Sequence, residues 1–101
     1  MSKRILYIDP VPSNKADLQP IADHLSSIKL SDTHLEVIST NSIAPLHVTY
    51  PSYEALASGD VLKLIHYGVS NNFDAIIVGC FYDPMVVDAR EFANSCIILG
   101  P

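Results

Sequence analysis

The sequence contains no tryptophan, only two cysteines and four glycines, and six lysines and arginines against eleven acidic residues. Positive charge this scarce and scattered builds no basic face, so neither nucleic acid nor an anionic membrane is expected as a partner. Cys80 and Cys96 have no CxxC spacing, and His24, His34, His47 and His66 lie far apart. No zinc site is expected, and no metal or cofactor. Two unpaired thiols fit a reducing, cytoplasmic compartment. Long apolar runs are absent too. Met1 is followed by Ser-Lys-Arg and then only by Ile5–Ile8 before Asp9, too short for a signal-peptide core or a membrane span.

What is present is a chain of 101 residues, 49% apolar, with net charge −5. That is one domain, long enough for a hydrophobic core. The apolar share is high for its size. It suggests a sheet buried on both faces, or apolar surface meant for another segment or chain.

Arg4–Asp9 is a short apolar run closing on an acid, as a central parallel strand would read. Pro10 and Pro12 then forbid both strand and immediate helix. Leu18, Ile21, Ala22, Leu25 and Ile28 fall at helical spacing, and Pro20 places the helix start near Ala16 or Asp17, or kinks it. Leu35–Ser39 is a less apolar strand suited to a sheet edge. Residues 40–52 carry Pro45 and Pro51 and no period, a long loop, with Tyr50 and Tyr53 beside it as a lid or as core contacts. A second helix follows from Ser52, its expected cap, to about Gly68, with a break allowed at Gly59-Asp60. Ala75–Gly79 is a third strand. Asp83 and Pro84 read as the N-cap and first residue of a third helix extending to Phe92. Ile97–Leu99 is a fourth strand.

Strands alternating with helices predict an α/β fold in three layers, with a four-stranded parallel sheet of flavodoxin-like order 2-1-3-4. One helix on one face and two on the other leave a face under-covered. The chain also closes on a strand, so a larger fold or a covering partner is expected.

Ligands in such sheets bind beyond the carboxyl ends of the strands, at the switch point between the first and third. There Asp9–Asn14 and Cys80–Asp83 converge. Cys80 stands where a strand delivers a thiol to a helix mouth, whose partial positive charge favours a thiolate. An inert buried cysteine is the equal alternative. Asp9, Ser13, Asn14 and Asp83 could meet a ligand, although turn and cap chemistry explains each. Cys96 begins the fourth strand, roughly 17 Å from Cys80 along the sheet. That is far beyond the roughly 7 Å a disulfide allows, so Cys96 is read as core. Arg90 and Glu91 are read as solvated surface. A receiver-type signalling module fits Asp9 superficially, but the third strand ends in Gly79-Cys80 instead of an acceptor aspartate, and no lysine follows the fourth.

The stretch Asp74-Ala75-Ile76-Ile77-Val78-Gly79-Cys80-Phe81-Tyr82-Asp83-Pro84, continued by Ala89-Arg90-Glu91, resembles the hydantoin/allantoin racemase branch of the Asp/Glu racemase superfamily. Pro51 and Glu54 at the second helix add looser support. The resemblance implies the N-terminal, flavodoxin-like half of a two-lobed, cofactor-independent racemase. Cys80 would be one of two thiol acid/base groups acting on a hydantoin, allantoin or related amino-acid derivative. It further implies substrate contacts from Asp9, Pro10, Ser13, Phe81 and Asp83. The first loop departs from the family's Asn-Pro-Asn followed by Ser or Thr, keeping Pro10 and Ser13. Tyr82 and Met85 replace small residues. The family's second cysteine lies in a C-terminal half that these residues lack, so either that half or a second copy is expected as partner. A non-catalytic racemase-like or receiver-like binding module is the alternative.

Overall fold

A computed structural model of the chain describes residues 2–40 and 50–101. Most of the long loop, including His47 and Pro45, lies outside them. Seven elements follow in order: β1 (Lys3–Asp9), α1 (Lys15–Ile28), β2 (Thr33–Ser39), α2 (Pro51–Ser70), β3 (Ala75–Val78), α3 (Val86–Ala89) and β4 (Ile97–Leu99). The sheet is parallel throughout, in the order β2-β1-β3-β4. Fold class and strand order are thus those read from the sequence.

β1 is central because both of its faces are apolar enough to bury. Leu6 and Ile8 point to one face and are fully buried. In register with them stand Ile76, Val78 and Ile98. Helix α2 covers this face with Ala57, Val61, Ile65 and Gly68, a stripe at helical spacing. Val86, Ala89, Phe73 and Ala93 complete the core. At Gly68 the helix backbone lies close against the sheet. A Cβ there would lie 2.6 Å from Cδ1 of Ile76 and 2.8 Å from Cδ2 of Leu6.

The opposite face carries Ile5, Tyr7 and Asp9, none fully buried. Helix α1 lies over β2 there and has no buried residue. Towards β4 the cover ends: Ile97 is 58% and Leu99 43% exposed. This is the under-covered face that the connectivity requires. The outer edge of β4 is partly closed by a side chain. Ile97 donates its N–H to Asp74, so the backbone of Ile98 faces outward, and Arg90 donates to its carbonyl at 2.9 Å. Arg90 is therefore an edge clamp and not merely solvated surface.

Three local expectations need correction. Helix α1 starts at Lys15, earlier than expected, because Asn14 accepts from Asp17 N–H while the Asp17 carboxylate accepts from Asn14 N–H. Pro20 therefore sits in the second turn, at an exposed position where solvent can serve the Ala16 carbonyl. Helix α2 is unbroken through Gly59-Asp60, and Tyr50, not Ser52, is its N-cap, with Pro51 in the first turn. Asp83-Pro84 does not open a helix. Asp83 (φ 50°) and Met85 (φ 62°) are both left-handed around Pro84, so right-handed turns begin only at Val86, and α3 has four residues.

The two glycines of α2 should respond in opposite directions to alanine. Gly59 is exposed with nothing within 4 Å of an added Cβ, so Gly59→Ala is expected to stabilise by about 0.5–1 kcal/mol. Gly68→Ala should cost about 1–3 kcal/mol through overpacking. Denaturant midpoints at unchanged m-value check both.

Candidate functional site at the carboxyl edge of the sheet

Two loops leave the carboxyl ends of β1 and β3 side by side, held by the bond from Gly79 N–H to the Ile8 carbonyl (2.9 Å). The first loop folds around its own polar groups. One Asp9 carboxylate oxygen accepts from Val11 N–H at 3.3 Å, and the other accepts from the Ser13 hydroxyl at 2.9 Å. Ser13 is also stapled to the end of β2: its N–H donates to the Ser39 hydroxyl, which donates in turn to the Ser13 carbonyl (3.2 and 2.9 Å). Pro10 is buried between these anchors. Asn14 is occupied as the cap of α1.

The second loop turns twice. Cys80 N–H donates to the Val78 carbonyl (2.9 Å), a three-residue turn at Gly79. Asp83 N–H then donates to the Cys80 carbonyl (3.0 Å), a β-turn whose two central residues are Phe81 and Tyr82. This explains why Phe81 is 90% exposed. The Cys80 thiol is half-buried and unpaired. The Asp83 carboxylate lies against Gly100, after β4. Two non-glycine residues in the left-handed region, at about 1 kcal/mol or more each, mark this loop as conformationally strained.

The structure thus joins Asp9 to Ser13, links Asp83 to Cys80 through the backbone, and lets Phe81 project. The expected helix macrodipole at the thiol does not materialise, because a single helical turn aligns too few peptide dipoles. Sequence reasoning missed three residues. Ser39 clamps the first loop. Thr40, at the end of β2, is 2% exposed, and its hydroxyl finds no partner among the described residues. Tyr7 lays its ring over Gly79, where any Cβ would strike it. The alternation of β1 gives Tyr7 and Asp9 the same face, which is the signal that could have found it.

Cys96 sits at the opposite, amino edge, packed against the core. Burial first, and then the Asp74 carboxylate, push its thiol pKa up. A cleft of about 250 Å³ at that edge is lined by Phe73, Asp74, Asn94 and Cys96 among others. It lies at the wrong end of a parallel sheet for a switch-point site, and the Asp74 carboxylate in its lining is engaged in structure. Arg4 and Asp74 exchange backbone and carboxylate hydrogen bonds at 2.8 Å, and the Arg4 guanidinium stacks on Phe73 at 4.2 Å. Among the described residues no group of three potential metal ligands occurs, and no helix is long and apolar enough to cross a membrane.

Tyr7 carries a pH signature. Burial, then the charges of Asp9 and Cys80, raise its phenol pKa above the ordinary 10.0. Below that value the phenol is neutral in both folded and unfolded chains and stability is unaffected. As pH rises above it the unfolded phenol ionises first, so stability falls until the folded phenol also titrates. Urea unfolding at about pH 9 and about pH 11 should show a smaller alkaline loss in Tyr7→Phe than in the wild type.

No known family matches the chain by sequence, and no curated protein matches it. Among solved structures it is similar to an allantoin racemase from Klebsiella pneumoniae, with a TM-score of 0.83 and 23% identity. The match covers 97% of this chain and 39% of that one. At this identity the likeness shows the fold. The chain shares its α/β fold with part of that enzyme and spans about two-fifths of its length.

Proposed function

We propose that this chain provides one half of a cofactor-independent racemase or epimerase site for hydantoin, allantoin or a related amino-acid derivative. Cys80 is one of its two thiol acid/base groups. The observation that carries the reading is the position of Cys80: an unpaired thiol one residue beyond the β1–β3 pairing, beside the first loop, on a racemase-type fold.

The chemistry follows from the carbon being activated. A C–H next to a carbonyl loses its proton to a thiolate, and the electron pair moves into the carbonyl as an enolate-like oxyanion. A thiol on the opposite side then returns a proton, inverting the centre. Cys96 cannot be that thiol, because it lies before β4 at the other edge. The second acid is therefore assigned to a C-terminal lobe or a second copy of the chain. Asp9, Pro10 and Ser13 form one wall for the substrate, and Phe81 and Asp83 the other. Cytoplasmic location belongs to the same reading.

A non-catalytic binding module draws support from the first loop, where Asp9 and Ser13 already satisfy each other. Polarimetry separates the two. The 101 residues alone should leave the optical rotation of allantoin or a 5-substituted hydantoin unchanged beyond the spontaneous rate. A polypeptide that adds the second lobe should abolish rotation, and its Cys80→Ser form should be slower by about 10²–10⁴. An equally active Cys80→Ser form would refute the assignment.

A further inference from the structure

We propose that Tyr7 is a ligand-binding residue of this site, its phenol donating a neutral hydrogen bond to a carbonyl oxygen of the ligand, and that residue 79 is glycine to make room for it. The inference rests on the racemase-like reading and adds a residue to it.

The first observation is steric. The Tyr7 ring lies so close over Gly79 that a Cβ there would stand 2.7 Å from Cε1 and nearer still to the hydroxyl end. The phenol is thereby delivered to the carboxyl edge, next to the residue that precedes Cys80. The second observation is chemical. The Tyr7 side chain is half-buried and its hydroxyl has no protein partner among the described residues: its register neighbours are Val37 and Ile77, and the nearby Asp9 carboxylate accepts from Val11 and Ser13. Sheet packing at this position needs only the ring. The hydroxyl is left for something outside the fold.

Its surroundings also fix what it can do. Burial and the charges of Asp9 and Cys80 hold the phenol protonated, so it donates and does not act as a base. A ligand carbonyl beside the carbon whose proton passes to Cys80 gains negative charge as that proton leaves. A neutral O–H aimed at this oxygen stabilises it without transferring a proton. Both the bond broken and the bond formed belong to the ligand and the thiol; Tyr7 keeps its hydrogen throughout.

The test needs no turnover. Iodoacetamide alkylation of Cys80 is followed by mass spectrometry over a series of allantoin concentrations, with the Cys96 peptide as internal control. Allantoin should slow alkylation at Cys80 in the wild type. Tyr7→Phe, which keeps the ring and the fold, should need about five- to tenfold more allantoin for half-protection. Gly79→Ala, which displaces the phenol while leaving it in the chain, should weaken protection as well. Equal protection in wild type and Tyr7→Phe would overturn the role of Tyr7 and leave the reading of Cys80 standing. No protection in the wild type would overturn both.

Discussion

The contact between Gly68 of α2 and the side chains of Leu6 and Ile76 is the constraint on which the rest of the molecule depends. It lets the long helix press onto the two central strands and bury a face of Leu6, Ile8, Ile76 and Val78. Each such side chain contributes about 1.5–3 kcal/mol. A strand shifted by one residue would turn all of them to the other face. Burial thereby fixes the register of β1 against β3. That register places Asp9 and Gly79-Cys80 at the same edge, and the site is a consequence of core packing.

The two edges of the sheet have divided the labour. At the amino edge Arg4, Phe73, Asp74 and Asn71 use up their polar groups on one another. At the carboxyl edge groups with chemical potential remain: the Cys80 thiol and the Tyr7 hydroxyl. Left-handed backbone occurs at both edges, at Asp83 and Met85 in the one and at Asn72 and Asn94, a residue type that tolerates it, in the other. The same asymmetry runs across the faces, since Ile97 and Leu99 leave an apolar strip beside Tyr7 and Ile77 that α1 does not reach.

Strand order, the identity of the central strand and the under-covered face were legible in the sequence. Short apolar runs alternating with helical spacing admit few parallel topologies. The loop between β3 and α3 was not legible. Asp83-Pro84 carries a standard helix-start signal, but the signal is local, and the chain instead uses Asp83 and Met85 to turn twice before Val86. Gly59-Asp60 likewise read as a break, yet tertiary burial of Ala57, Val61 and Ile65 carries α2 straight through it. The place of Cys80 at the carboxyl edge was legible from strand position, whereas that of Tyr7 was hidden inside an apolar run where its ring looked like core. Asp9 and Ser13 were legible as members of the first loop, but their mutual hydrogen bond depends on the backbone of Asp9–Ser13 folding back. No single-residue propensity reports that.

The binding of a small carbonyl compound at the carboxyl edge around Cys80 is the central proposal. Amide chemical shifts of the isotopically labelled chain, followed during titration with allantoin, test this most directly. The expected changes fall in Asp9–Asn14 and Gly79–Asp83 and spare the amino edge. Changes centred on Asn72–Asp74 and Asn94–Cys96, or no changes at saturating ligand, would contradict it.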